Sequence, residues 1–257
     1  MTCSPPWTSS ATWSTCPWSR IPARTSPPPG GPAGLELDGV GFHHEGGPEV
    51  LSGARLSVVA GGKVAICGPP AAGRSTLADL LYGLHAPTSG RILLDGAELG
   101  DLRPEALRRD VAVVKDAEVF AGSLLDNVRM GREDVPLSDV RRVLAQVGLH
   151  EAVQQLPGGL HEPLATGGAP LSSSQAVLLT LARALLKPPR LLVLDGTLDN
   201  LEGPLLEQVL APLLDLAAPF TLLLLTRREE LSRRFETRYV LLNGHLEQPG
   251  PRMRALT

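Results

Sequence analysis

Lys63-Val64-Ala65-Ile66-Cys67 runs directly into Gly68-Pro69-Pro70-Ala71-Ala72-Gly73-Arg74-Ser75-Thr76, and the reading of this passage decides the fold. A short continuous apolar run is the pattern of a strand buried on both faces, so residues 63–67 are expected to form a parallel strand inside a sheet. The stretch behind it has the spacing GxxxxG followed by Arg-Ser, and a helix is expected to start near Arg74. Strand, glycine-bounded loop and helix in that order make a phosphate cradle. Successive backbone N–H groups and the positive helix end face one point, and glycine lets the main chain approach an anion closely. The usual lysine of such a loop is Arg74 here. Arginine keeps the charge, but its planar guanidinium cannot act as a compact point charge between terminal phosphates. Taken alone, the passage also reads as a glycine turn ahead of an ordinary helix.

Working outward, Leu35–Val40 and Ala54–Val59 alternate apolar with polar residues, as half-buried antiparallel strands do. Pro87-Thr88-Ser89-Gly90 is turn chemistry before a strand at Arg91–Asp95, which closes on an Asp95-Gly96 turn. Residues 121–155 read as mostly helical, with Val140, Val143, Leu144 and Val147 spaced for one helix face. Arg190–Asp195 and Thr221–Leu225 are buried-strand runs, and Arg238–Asn243 ends at a turn. The order implies an α/β protein.

Composition narrows the class. With 43% hydrophobic residues the chain can fill a sizeable core. A net charge of -3, from 24 Lys+Arg and 27 Asp+Glu, argues against nucleic acid as a partner. The longest apolar runs fall short of the ~20 residues that span a bilayer, so no membrane helix is expected. Cys3, Cys16 and Cys67 form neither a disulfide framework nor, with the histidines, a metal-ligand spacing, which fits a reducing, cytosolic setting. Residues 1–34 stand apart: they hold Trp7, Trp13 and Trp18, many prolines and serines, and no acidic residue. They are expected to be disordered and to add nothing to the fold. Arg20 and Arg24 suit an organelle-targeting peptide, but the prolines oppose its amphipathic helix; translation from another frame or start is a third reading.

The second chemical motif is Asp195, a carboxylate closing a core strand, which could help Ser75 hold Mg²⁺ beside the phosphate loop. Just ahead of its strand stand Leu171-Ser172-Ser173-Ser174-Gln175, Leu181–Leu186 and Pro188-Pro189-Arg190. This arrangement resembles the nucleotide-binding domain of an ATP-binding cassette (ABC) transporter, in which a signature of the LSGGQ type precedes the strand that ends in Asp. The resemblance runs from Leu35 to Gly244. Asp38–His44 is similar to the adenine-stacking loop, with His44 at its aromatic position. Phe120–Asn127 and Leu156–Leu160 are similar to exporter cassettes in particular.

The departures from the family pattern fall on its chemistry. His44 offers less stacking area than tyrosine, and His43-His44 also reads as a solvated turn. The second phosphate-loop glycine is Ala71. The Q-loop glutamine falls on Lys115 or Asp116 in a loop that is one residue short; either residue also reads as a surface charge. Ser173 and Ser174 replace the signature glycines, crowding a place where backbone meets the γ-phosphate. Gly196 stands where a glutamate positions the attacking water. Leu198-Asp199 is the remnant of a shortened D-loop. Arg227 occupies the place of the switch histidine and, with Arg228, also reads as a basic turn.

The resemblance implies a P-loop NTPase with a RecA-like core, an antiparallel β subdomain and a helical ABC subdomain at about 117–186, the whole domain spanning 35–250. It implies ATP and Mg²⁺ as ligands: His44, residues 68–76, Asp116, residues 171–175, Asp199 and Arg227 around the nucleotide, Ser75 and Asp195 at the metal. Phosphoryl transfer depends on positioning and charge neutralisation, so these replacements imply binding with negligible hydrolysis and no catalytic residue. The combined change Gly196→Glu, Arg227→His and Arg74→Lys is expected to recover far more than Gly196→Glu alone. The partners implied are a second nucleotide-binding domain in a head-to-tail dimer and the transmembrane domain of an exporter, at the cytoplasmic face of the membrane. The chain is expected to be a separated or truncated cassette that couples ATP binding to transport. The other readings are a non-hydrolysing scaffold half of a heterodimeric transporter and an inactive pseudogene product.

Overall fold

In the computed structural model, residues 30–249 are described. The expectations for residues 1–29, targeting included, lie outside them. The fold begins with a hairpin: β1 (Leu35–His43) pairs antiparallel with β2 (Glu49–Val58), Leu35 opposite Val58 and His43 opposite Glu49. β1 runs past the alternating stretch because Gly39, at φ 65°, absorbs a bulge and the strand resumes through Phe42. β3 (Lys63–Cys67) and α1 (Arg74–Leu81) lie where the sequence puts them. β4 (Ser89–Leu94) returns beside β1, and β5 (Ala97–Glu98) completes a four-stranded sheet in the order β2-β1-β4-β5.

α2 (Pro104–Asp110) leads into β6 (Val111–Val114). A mostly helical unit follows: β7 (Gly122–Ser123), α3 (Leu124–Arg129), α4 (Leu137–Gln146), α5 (His150–Gln155), β8 (Pro163–Leu164) and α6 (Ser173–Leu186). The short β7–β8 pair is an addition to the helices expected there. The chain then re-enters the core with β9 (Leu191–Asp195), α7 (Gly203–Leu214), β10 (Thr221–Thr226), α8 (Glu229–Ser232), β11 (Thr237–Leu242) and β12 (His245–Glu247). Six strands form the main sheet in the order β12-β11-β3-β10-β9-β6, all parallel except β12.

Both faces of this sheet are covered, which is why β9 and β10 are unbroken leucine-rich runs. Leu223 and Leu225 face a core shared with α1 and the antiparallel sheet, through Leu37, Leu77 and Leu81. Leu222 and Leu224 face a second core with α6 and α7, through Leu178, Leu181 and Leu210. α6 is locked to the loop after β6 by Arg183, 9% exposed, which donates to the carbonyls of Asn127 and Glu118 at 2.8 Å each. Thr180 Oγ1 accepts from the Glu118 N–H at 3.1 Å.

The fold starts earlier than the compositional break suggests. Ala33 is fully buried, and its N–H donates to the Arg190 carbonyl at 3.1 Å. The Thr221 hydroxyl donates to the Ala33 carbonyl, the Gly34 N–H donates to Asp95 Oδ1 at 2.7 Å, and Arg190 Nε donates to the Gly31 carbonyl at 3.0 Å. Residues 31–34, expected to lie outside the domain, therefore belong to it. A short segment held by main-chain hydrogen bonds leaves no apolar period to read. A chain starting at Leu35 is expected to melt about 5 °C below one starting at Gly30, by calorimetry, because several hydrogen bonds, one of them buried, and the burial of Ala33 are lost.

Candidate functional site

A parallel sheet binds ligands beyond the C-terminal ends of its strands, where loops leave in different directions. Here β3, β10 and β9 end side by side: Thr226 lies opposite Cys67, and Leu225 opposite Asp195. With strands about 4.8 Å apart, Asp195 stands about 10 Å across the sheet from the root of the phosphate loop. The loops leaving these ends open onto one cleft of about 510 Å³, whose lining includes Arg74, Ser75, Asp116, Asp195, Asp199 and Arg227. Ser173 and Ser174, from the first turn of α6, line it as well.

The loop of residues 68–73 is fastened at both ends. The Gly68 N–H donates to the Thr226 carbonyl at 3.2 Å, and the Gly73 carbonyl accepts from Leu77 N–H at 2.9 Å. Between them Pro69 and Pro70 are exposed, Ala72 is buried, and Ala71 takes φ 61°, a conformation in which a Cβ costs about 1–2 kcal/mol. A Cβ at Gly68 would stand 2.6 Å from the Leu241 carbonyl, and one at Gly73 2.9 Å from the Val50 carbonyl. A side chain at position 73 thus meets β2 before it meets any ligand. No side chain caps α1, and its first turn holds no acidic residue. Ser75 is exposed on that turn, with Thr76 half-buried behind it. Arg74 Nε is buried and has no hydrogen-bond partner, so a cation is held in the wall of the cleft with part of its donor capacity unsatisfied. Burial, together with the Glu229 carboxylate, pushes the Cys67 thiol up, so this residue adds no negative charge at the root of the loop.

Asp195 is half-buried and has no ion-pair partner among the described residues. No group of three or more His, Cys, Asp or Glu residues able to hold a metal occurs among them either, so an ion at Ser75 and Asp195 would need oxygens from a ligand. After Asp195 the chain turns sharply. Gly196 has φ 66°, its N–H donates to the Leu225 carbonyl at 2.9 Å, and its carbonyl accepts from the Asp199 N–H at 3.0 Å.

The turn drives the Asp199 side chain inward, where it is 2% exposed. Its oxygens accept from the Thr226 hydroxyl and from the N–H and Nε of Arg227, the last two at 3.2 Å each. Arg228 Nη1 donates to the carbonyls of Asp199 and Leu201 at 3.3 and 2.7 Å. Arg227, which the sequence puts at the switch position or in a basic turn with Arg228, is thus turned with Arg228 onto the loop after β9. Lys115 is similarly committed, to Asp79 on α1, while Asp116 beside it is exposed in the cleft.

The signature segment has a local explanation. Leu171 is buried, and Ser172 and Gln175 form a capping box at the start of α6. The Gln175 N–H donates to Ser172 Oγ at 3.2 Å, and the Ser172 N–H to Gln175 Oε1 at 2.8 Å. Ser172 and Gln175 therefore satisfy the helix end internally. His44 does not line the cleft. It is exposed, with its ring edge-on to Phe42 at 5.0 Å and to His85 at 5.7 Å. Sequence reasoning missed His85, Asp79, Thr226 and Thr197, whose hydroxyl donates to the Val114 carbonyl at 2.7 Å. No motif marks them; Asp79, on the inward side of α1, offered the nearest thing to a signal.

These contacts set the cost of changing positions 196 and 227. At position 196 a glutamate would adopt φ 66°, with its Cβ 3.8 Å from an Asp199 carboxylate oxygen. Histidine at 227 would leave Asp199 without its cation. Gly196→Glu and Arg227→His are each expected to lower unfolding stability by about 2 kcal/mol in urea titrations, and the triple change by more, rather than to recover turnover. Unchanged urea midpoints in both single variants would show that the Asp199 pair carries no stability.

Comparisons with known proteins agree with this geometry. The family model described as "ABC transporter" matches residues 51–198, which include the phosphate loop, the signature segment and Asp195. The chain is 30% identical over 217 residues to an uncharacterised ABC transporter ATP-binding protein, YfiC, of Bacillus subtilis (strain 168), covering 84% of this chain and 36% of that protein. It is 34% identical over 221 residues to an ATP-dependent lipid A-core flippase of Cupriavidus pinatubonensis, covering 84% of this chain and 38% of the flippase. The chain thus spans little more than a third of the length of these relatives. A solved bacterial Atm1-family ABC exporter with ATP bound superposes with a TM-score of 0.81 at 26% identity, over 92% of this chain and 41% of that one. On its fold, its phosphate loop and these matches, the chain belongs to the ABC transporter family as an exporter-type ATP-binding cassette.

Proposed function

We propose that this cassette binds Mg-ATP at the phosphate loop and turns it over negligibly, so that binding is what it contributes to a transporter. The observation that carries the reading is the pair of uncommitted charges at the phosphate end of the cleft. Arg74 Nε is buried without a partner, and Asp195 has no ion pair among the described residues. A phosphate oxygen suits the first, and a magnesium ion suits the second together with Ser75. When bound, the ion neutralises phosphate charge. The chain's own residues then do the holding: the uncapped end of α1 and the loop amides cradle the anion, and Arg74 adds a cation to the wall.

Hydrolysis has no comparable support. Position 196 carries no side chain, and Asp199, the next carboxylate along the chain, is saturated by Thr226 and Arg227. A group that is to orient and polarise water needs a free acceptor facing the cleft.

The partners belong to the same proposal. The relatives are named as ATP-binding/permease proteins and flippases and are far longer than the matched region. The cassette would work against an exporter's transmembrane domain, at the cytoplasmic face, and in a head-to-tail dimer with a second nucleotide-binding domain. No helix of the described residues is long and apolar enough to cross a membrane. The bare position 196 and the pairing of Asp199 favour the non-hydrolysing half of a heterodimer, beside a partner that retains the catalytic groups.

Mg-ATP at 100-fold excess over its dissociation constant is expected to raise the melting temperature by about 5 °C, and Arg74→Glu to remove the shift. Phosphate release is expected to be the same for the wild type and Asp195→Asn. No thermal shift at millimolar nucleotide would overturn binding, and turnover abolished by Asp195→Asn would overturn the loss of hydrolysis.

A further inference from the structure

We infer that a second groove, between α2, β6 and α6, is a binding site for a phosphate monoester, carried by a small soluble molecule or by a lipid headgroup. The groove shares no lining residue with the nucleotide cleft, so the inference stands apart from how that cleft is read.

The groove encloses about 460 Å³, the size of a small-molecule site. The whole chain carries a net charge of -3, yet this groove is lined by Arg108, Arg109, Arg132, Arg183 and Lys187 against only Glu105 and Glu118. An acidic chain with a locally basic groove holds a positive field there. Arg109 is spent on Asp110. The other four basic side chains pair with no carboxylate among the described residues.

Arg183 is held in place by the carbonyls of Asn127 and Glu118, so its charge is fixed in the wall. Burial holds its guanidinium below the usual arginine range; the Glu118 carboxylate opposes this, and the Arg132 charge adds to it. The two arginines thus feel each other's charge, and Nη1 of Arg132 is buried without an acceptor. Turning Arg132 toward an anion gives that donor a partner. A phosphate monoester answers both needs, with a charge of about -1.5 to -2 and three acceptor oxygens. Guanidinium forks match it bidentately, and the Lys187 ammonium adds a point charge. A lone carboxylate brings one charge and two oxygens, and so neutralises less. Tyr82, Val111 and Met130, the last 48% exposed, supply apolar surface for the organic part of the ester.

The test uses the full chain in two assays: calorimetric titration with glycerol 3-phosphate, and flotation with phosphatidylcholine vesicles with and without phosphatidic acid. A soluble source gives saturable titration with a dissociation constant below about 1 mM. A membrane source gives flotation that requires phosphatidic acid. In whichever assay reports binding, Arg132→Gln is expected to weaken it about tenfold, and Arg108→Gln combined with Lys187→Gln by about as much. That double variant alters two exposed side chains and decides the matter if Arg132→Gln does not fold. Arg55→Gln, exposed on β2, is expected to leave binding unchanged. Arg74→Glu is expected to remove the Mg-ATP thermal shift and to leave this binding intact. Binding lost in Arg74→Glu but kept in Arg132→Gln would put the anion on the phosphate loop and overturn the inference. So would equal weakening by Arg55→Gln, the mark of charge alone, or failure of both probes to bind the wild type.

Discussion

The main chain of the phosphate loop is wedged between two strands, and the rest of the site is built on that wedge. Gly68 lies against the Leu241 carbonyl of β11, and Gly73 against the Val50 carbonyl of β2, each too close for a Cβ. The strand that delivers the loop, β3, is hydrogen-bonded on both sides and buried on both faces. Loop, sheet and antiparallel layer therefore move as one piece, and the N-terminus of α1 is aimed by the core rather than by any ligand. Close packing of this kind makes the direction of the helix end a property of the whole domain.

Around that fixed point the charges are paired in a way that the turn after Asp195 helps to explain. The connection between β9 and α7 turns tightly at Gly196 and brings Asp199 inside, where it must be neutralised. Arginine at 227 supplies the neutralising charge, and Arg228 ties down the carbonyls that follow. Gly196 and Arg227 are then parts of one local arrangement. Residues that look independent along the chain share one hydrogen-bond network, and changes within such a network do not add.

The helical unit is joined to this core through buried polar contacts as well as through apolar packing. Arg183 and Thr180 of α6 each bond main-chain groups of the loop that carries Lys115 and Asp116. A shift of α6 would therefore be felt at the cleft. The capping box of Ser172 and Gln175 holds the start of α6 in a defined direction and leaves Ser173 and Ser174 on the open side.

Most of the fold was legible because it rests on patterns that local sequence carries. The apolar run 63–67, the helix start at Arg74 and the leucine strands at 191–195 and 221–226 lie where they were expected, since burial on both faces leaves an unbroken apolar signature. The start of the domain at residues 31–34 was not legible, because those residues are held by main-chain bonds to Arg190 and Asp95, far away along the chain. Motif spacing identified the residue types in the cleft, but not which were already paired. His44 turns out to stand with Phe42 and His85 rather than in the cleft, and Lys115, Arg227 and Arg228 prove to be committed to groups that no spacing rule connects to them. The sequence by itself determined the main strands, the phosphate loop and the family resemblance, since each depends on neighbours in the chain. Only the tertiary structure decided which charges are free, because pairing depends on side chains that come within about 4 Å of one another after folding.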